Sequence, residues 1–198
     1  MNERPDPDNY FMGIALAVRR RANCRGSRVG AIVVVDRRIV STGYNGTPEG
    51  MTNCLDGGCD RCVNRASYPS GTGYDLCICV HAEQNAVLAA ARFGISVANG
   101  MVYTTTQPCF GCVKEMLQAK IKKVYYLHPW VHPDPAVANE YKKIVARIPE
   151  GLEHLDVPDP DAAWARNKSV PALAEGAEEK HAKPVSSART KRHRPLIS

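Results

Sequence analysis

The 198-residue sequence contains no run of about 18 apolar residues, the length a membrane-spanning helix needs, and no internal repeat. Nor does a basic segment precede its first apolar patch. Asp6 and Asp8 come before residues 11–18, the reverse of the charge order in a secretory signal. These absences lead to the expectation of a cytoplasmic chain with no membrane partner. The stretch 166–198 has almost no aromatic or β-branched residues and no apolar periodicity. Such a segment cannot bury enough surface to offset its ordering entropy, so a disordered tail is expected there.

The whole chain has 44% apolar and 23% charged residues, and residues 1–165 suit one globular domain. The net charge of +6 is unevenly spread, since residues 166–198 hold eight Lys and Arg against three Glu, which leaves +1 for 1–165. The charge therefore gives no ground for a nucleic-acid partner in the folded part, and the basic cluster at 189–194 reads as a solvated terminus. All eight cysteines fall between Cys24 and Cys112. In a reducing compartment, close spacings such as Cys59/Cys62 and Cys109/Cys112 favour metal binding over disulfides.

Apolar spacing predicts helices at 9–21, 82–93, 109–119 and 135–148. Strands are expected at 29–35, 39–43, 101–105 and 123–127, the first two forming a hairpin around Asp36-Arg37-Arg38. The order α-β-β-α-β-α-β-α points to the α/β class, an α/β/α sandwich with a mixed central sheet. Residues 47–75 are rich in Gly, Pro, Asn and Cys and lack periodicity. A loop that long inside a compact domain calls for an organiser other than an apolar core, and a metal is the obvious one.

Val80-His81-Ala82-Glu83 is followed by Pro108-Cys109-Phe110-Gly111-Cys112, the H-x-E…P-C-x-x-C signature of zinc-dependent nucleobase deaminases. Cys109 and Cys112 are three apart at a helix start, so both sulfurs share one face where the helix dipole favours thiolates. His81 supplies a third ligand, and the fourth tetrahedral position is left for water. Two thiolates balance the charge of the zinc, so a nearby base is needed to ionise that water. Glu83, on the first helical turn, is expected to take the water's proton and deliver it to N3 and then to the departing ammonia of a cytosine ring.

The residues from about 10 to 152 resemble the deoxycytidylate (dCMP) deaminases, including bacterial late-competence relatives. The resemblance is carried by Val29-Gly30-Ala31, Gly43-Tyr44-Asn45-Gly46, His81-Ala82-Glu83-Gln84-Asn85-Ala86, Pro108-Cys109-Phe110-Gly111-Cys112-Val113-Lys114 and Gln118-Ala119-Lys120-Ile121-Lys122-Lys123-Val124. It implies a cytidine-deaminase-like fold and conversion of dCMP to dUMP and ammonia for thymidylate synthesis. It also implies a homo-oligomer, a hexamer in many members, with dCTP plus Mg2+ as activator and dTTP as inhibitor. Asn45 would hold the deoxyribose 3′-hydroxyl and the Ala82 backbone the base edge. Arg28 is the expected phosphate partner. Cys24, Cys54, Cys59 and Cys77 match positions that ligate a second, structural Zn2+ pinning the loop to the first helix. Cys62 and Cys79 are extra, either substitute ligands or free thiols. The segment His128-Pro129-Trp130 through His132 departs from the usual pattern, and its role is left open.

Two other readings stand beside this one. The chain could deaminate another aminated base or nucleotide (dCTP, cytidine, cytosine, guanine), or it could be a non-catalytic zinc module that binds nucleic acid through its tail. An unligated Glu83 beside the metal speaks against the latter, because a purely structural site has no use for it.

Overall fold

The computed structural model describes residues 4–69 and 72–165. The basic tail expected at 166–198 lies outside them. Helix α1 (Pro7–Arg19) starts where Asp6 caps it, its carboxylate accepting from the Asp8 and Asn9 amides, with Pro7 at the first helical position. Strands β1 (Gly30–Val35) and β2 (Arg38–Tyr44) follow as a hairpin. Its two-residue turn, Asp36-Arg37, has positive φ at both positions (47° and 60°), the geometry that matches the twist of the flanking strands.

Among the described residues, 47–81 hold three single-turn 3-10 segments, the four-residue helix α2 (Asp60–Val63) and the isolated bridge from Val80 to Gly46. Then come α3 (Ala82–Arg92), β3 (Met101–Thr106), α4 (Phe110–Gln118), β4 (Lys123–His128), α5 (Pro135–Val145) and β5 (Leu152–His154). The sheet order is β2-β1-β3-β4-β5, with β1 antiparallel to both β2 and β3 and the pairs β3/β4 and β4/β5 parallel. The mixed α/β architecture is the expected one, extended by β5 and α2.

Two-residue alternation divides the sheet into two cores. Ile32, Val34, Tyr103 and Leu127 face α1, packing on Phe11, Met12 and Ala15. Ala31, Val33, Val102 and Val124 face the other side, where Ala82, Ala86, Ala90, Val113 and Met116 of α3 and α4 cover them. Helix α3 lies so close to β2 that a Cβ at Gly43 would stand 2.1 Å from the Ala82 carbonyl oxygen. Only glycine permits that approach, and it fixes the start of α3 against the sheet.

At the last residue of α1, Arg19 is buried (1% exposed) and forms a two-pronged ion pair with Asp159 (3% exposed) at 2.6 and 2.7 Å. His128 Nε2 stands 2.6 Å from the same carboxylate. Against the cost of burial, the hydrogen bonds from Arg19 and His128 hold Asp159 down to about 2.

Candidate metal centre and cleft

The parallel β3/β4 pair brings the starts of α3 and α4 together beside the carboxyl end of β3, where open α/β sheets commonly bind ligands. His81 stands immediately before α3 and Cys109 immediately before α4, with Cys112 one turn on. His81 Nδ1 lies 3.4 Å from each sulfur, and the two sulfurs are 3.6 Å apart. Tetrahedral zinc with ordinary bond lengths gives N–S edges of about 3.5 Å and S–S edges of about 3.8 Å. The three donors therefore fit a zinc ion as they stand.

The neighbouring Cys112 thiol, reinforced by His81, holds Cys109 down at about 4, while Cys109 holds His81 up at about 9. Cys109 and burial push Cys112 well above the usual thiol range. The trio thus keeps protons where a divalent cation would replace them.

Glu83 is 5% exposed, and burial raises it above the ordinary carboxylate range against the opposing pull of His81. Its Oε1 lies 3.0 Å from the Thr104 hydroxyl and its Oε2 3.6 Å from Cys112 Sγ. Gln84 braces the same turn. Its carbonyl accepts from the His81 amide (3.0 Å) and its amide donates to Glu115 of α4 (2.8 Å). From the far side, the Tyr141 hydroxyl of α5 donates to the Pro108 carbonyl at 2.8 Å.

His81, Glu83 and Cys109 line a cleft of about 290 Å³ together with Asn45, Ala82, Arg61, Tyr74, Trp130 and His132. Asn45 is buried, its Oδ1 accepting from the Val29 amide and its Nδ2 donating to the Ser27 carbonyl, both at 2.8 Å. One amide proton and one lone pair remain for a ligand. Arg28, the expected phosphate partner, does not line the cleft. Its guanidinium stacks 4.6 Å above the Trp164 ring and its amide bonds the Trp164 carbonyl. Among the described residues the Arg or Lys that lines the cleft is Arg61, set 4.4 Å over Tyr74 and donating to Thr72 O at 2.8 Å, with its buried Nε unpartnered.

The remaining cysteines converge at one wall of the cleft, which Cys24, Cys62, Cys77 and Cys79 line. Cys24, Cys54, Cys62 and Cys79 form one set whose sulfurs all lie within 4.8 Å of one another, and Cys59, Cys62, Cys77 and Cys79 form a second. The quartet expected from the sequence, Cys24, Cys54, Cys59 and Cys77, is therefore split between two sets. Cys62 on α2 and Cys79 near the Gly46/Val80 bridge stand between its halves. Sequence reasoning also missed Thr104, Arg61 and the cleft positions of Trp130 and His132.

The chain matches the family model described as the cytidine and deoxycytidylate deaminase zinc-binding region over residues 5–128. It is 45% identical over 123 residues to the deoxycytidylate deaminase of Schizosaccharomyces pombe, a match that covers 62% of this chain but only 37% of that protein. Against the deoxycytidylate deaminase of Mycobacterium phage D29 it is 41% identical over 131 residues, covering 62% of this chain and 95% of the relative. Among solved structures, the dCMP deaminase of cyanophage S-TIM5 in complex with dCMP and dUMP superposes with a TM-score of 0.60 at 28% identity, covering 78% of this chain and all of that one. The match over residues 5–128, which includes His81, Glu83, Cys109 and Cys112, establishes that the chain belongs to the cytidine and deoxycytidylate deaminase zinc-binding family.

Proposed function

We propose that this chain deaminates dCMP to dUMP and ammonia and thereby supplies dUMP for thymidylate synthesis. One observation carries the reading: a buried Glu83 stands beside, but outside, a set of three donors able to hold a metal ion, in the wall of an open cleft. A structural zinc site gains nothing from such a carboxylate, whereas hydrolysis of an aminopyrimidine needs one.

His81, Cys109 and Cys112 would hold Zn2+. When bound there, the metal supplies Lewis acidity that makes a water nucleophilic near neutral pH. Glu83 accepts the proton of the attacking water as the new C4–O bond forms and passes it to ring N3; it then takes the proton of the new C4 hydroxyl and delivers it to the amino nitrogen as the C4–N bond breaks, leaving the C4 carbonyl and ammonia. Burial, by raising Glu83, suits it to give a proton as well as take one. Thr104 fixes the orientation of Oε1. The Ala82 backbone and the free valences of Asn45 face the base and sugar, and Arg61 provides the cation that a 5′-phosphate requires.

The choice of dCMP rests on similarity to relatives and to a structure described as a complex with dCMP and dUMP. Homo-oligomeric assembly and control by dCTP with Mg2+ or by dTTP belong to the same proposal, resting on the resemblance around Gly43-Tyr44-Asn45-Gly46. Ammonia release from dCMP, dCTP, deoxycytidine and guanine, with and without dCTP and dTTP, tests it. Activity confined to the unphosphorylated compounds would exclude the proposed substrate.

A further inference from the structure

Six cysteines, Cys24, Cys54, Cys59, Cys62, Cys77 and Cys79, gather from four separate stretches of chain into one cluster. Five are buried, and apart from Cys77 the other apolar side chain packed on them is Ile78. All are free thiols, and Cys59 and Cys77 approach only to 3.9 Å, far beyond the roughly 2.05 Å of a disulfide. The organising force of this loop is therefore the sulfurs themselves.

Their arrangement is specific. Each set of mutually close sulfurs has four members, the number a closed tetrahedral thiolate site requires. The two sets share Cys62 and Cys79, and no set joins Cys24 or Cys54 to Cys59 or Cys77. Two tetrahedra that share one edge have this pattern: two corners common, and two outer pairs held apart. A single ion would satisfy one set and leave two sulfurs of the other without a metal.

We propose that the six cysteines bind two zinc ions in one cluster, with Cys62 and Cys79 bridging, Cys24 and Cys54 completing one ion, and Cys59 and Cys77 completing the other. Charge supports the count. Six thiolates against two Zn2+ leave the same net −2 as four thiolates against one, so the second ion adds no uncompensated charge and six protons leave as the two ions enter. Two backbone amides already point at terminal sulfurs: Arg25 N–H to Cys54 and Gly26 N–H to Cys24, both at 3.3 Å. Zinc suits the set because it is thiolate-seeking, tetrahedral and redox-inert.

The cluster also shapes the cleft. Cys24, Cys62, Cys77 and Cys79 line it alongside Glu83, and Arg61 precedes the bridging Cys62 on α2. Cluster metal thus fixes the wall that carries Arg61.

The test is metal stoichiometry, which does not read turnover and so stands or falls apart from the proposed reaction. The full chain purified with zinc should carry three zinc ions by native and plasma mass spectrometry, and the double variant Cys109→Ser/Cys112→Ser should retain two. Substituted with cadmium-113, the cluster should give two resonances coupled to each other through the shared sulfurs. Cys62→Ser should lower the cluster to one ion or none while the His81 site stays filled. Two ions per chain in the unmutated protein, uncoupled cadmium resonances, two cluster thiols open to alkylation, or an intact mass showing a disulfide would each overturn the proposal.

Discussion

The hydroxyl of Thr104 stands 3.0 Å from Oε1 of Glu83, both groups buried and contributed by different elements, β3 and α3. The hydroxyl is also 3.2 Å from the Thr106 carbonyl, so it has one proton and two acceptors to choose from. A hydrogen bond to a charged group is worth about 1.5–3 kcal/mol.

Thr104→Val should therefore lower kcat by roughly 10-fold or more, on that hydrogen-bond scale, while leaving zinc content and KM for dCMP nearly unchanged. Thr104→Ser should restore most of the loss. Steady-state kinetics with parallel metal analysis checks both. A fall in zinc content alongside kcat would assign Thr104 to the fold rather than to Glu83.

The Arg19–Asp159 pair predicts a stability effect away from the cleft. Removing one partner of a buried ion pair typically costs about 3–5 kcal/mol because the other is left uncompensated. Asp159→Ala should lower the urea-unfolding free energy by about that range, since Arg19 is 1% exposed. The pH dependence has a definite sign. Asp159 is held at about 2, below its ordinary 3.8, so its contribution is complete above about pH 4 and lost as the pH falls towards 2. The stability difference between the two proteins should therefore be constant at neutral pH and shrink through that window.

Arg61→Ala should raise KM for dCMP by roughly 10-fold, the scale of one charge-assisted hydrogen bond, and leave KM for deoxycytidine unchanged. Arg61→Lys should recover part of the effect. Equal losses with both compounds would show that Arg61 serves the loop rather than a phosphate.

The sequence made the four residues of the candidate site legible because they are spaced by helical geometry. His81 and Glu83 open one helix and Cys109 and Cys112 another, and sharing a helix face is a local property. The hairpin was legible for the same reason, through Asp36-Arg37 between β-branched runs. What was not legible depends on contacts between distant segments. Thr104 reads only as a strand residue until the sheet is folded. Arg61 and Arg28 are indistinguishable as cations until Trp164 covers one and the cleft receives the other. The division of the cysteines depends on how 54–79 folds over 24, a path that no periodicity encodes. Strand β5, three residues long, is too short to show alternation. The helix expected to reach 148 stops at Val145, where the chain turns through Gly151 (φ 83°) into β5.

Most direct for the central claim is the rate of dUMP formation from dCMP by zinc-loaded wild-type protein and by Glu83→Ala, with the zinc content of both measured on the same samples. The account predicts turnover by the wild type and a loss of at least about 10²–10⁴-fold in the variant, the usual worth of a general acid–base group, at unchanged zinc content. Turnover that survives in Glu83→Ala at full zinc loading would contradict it.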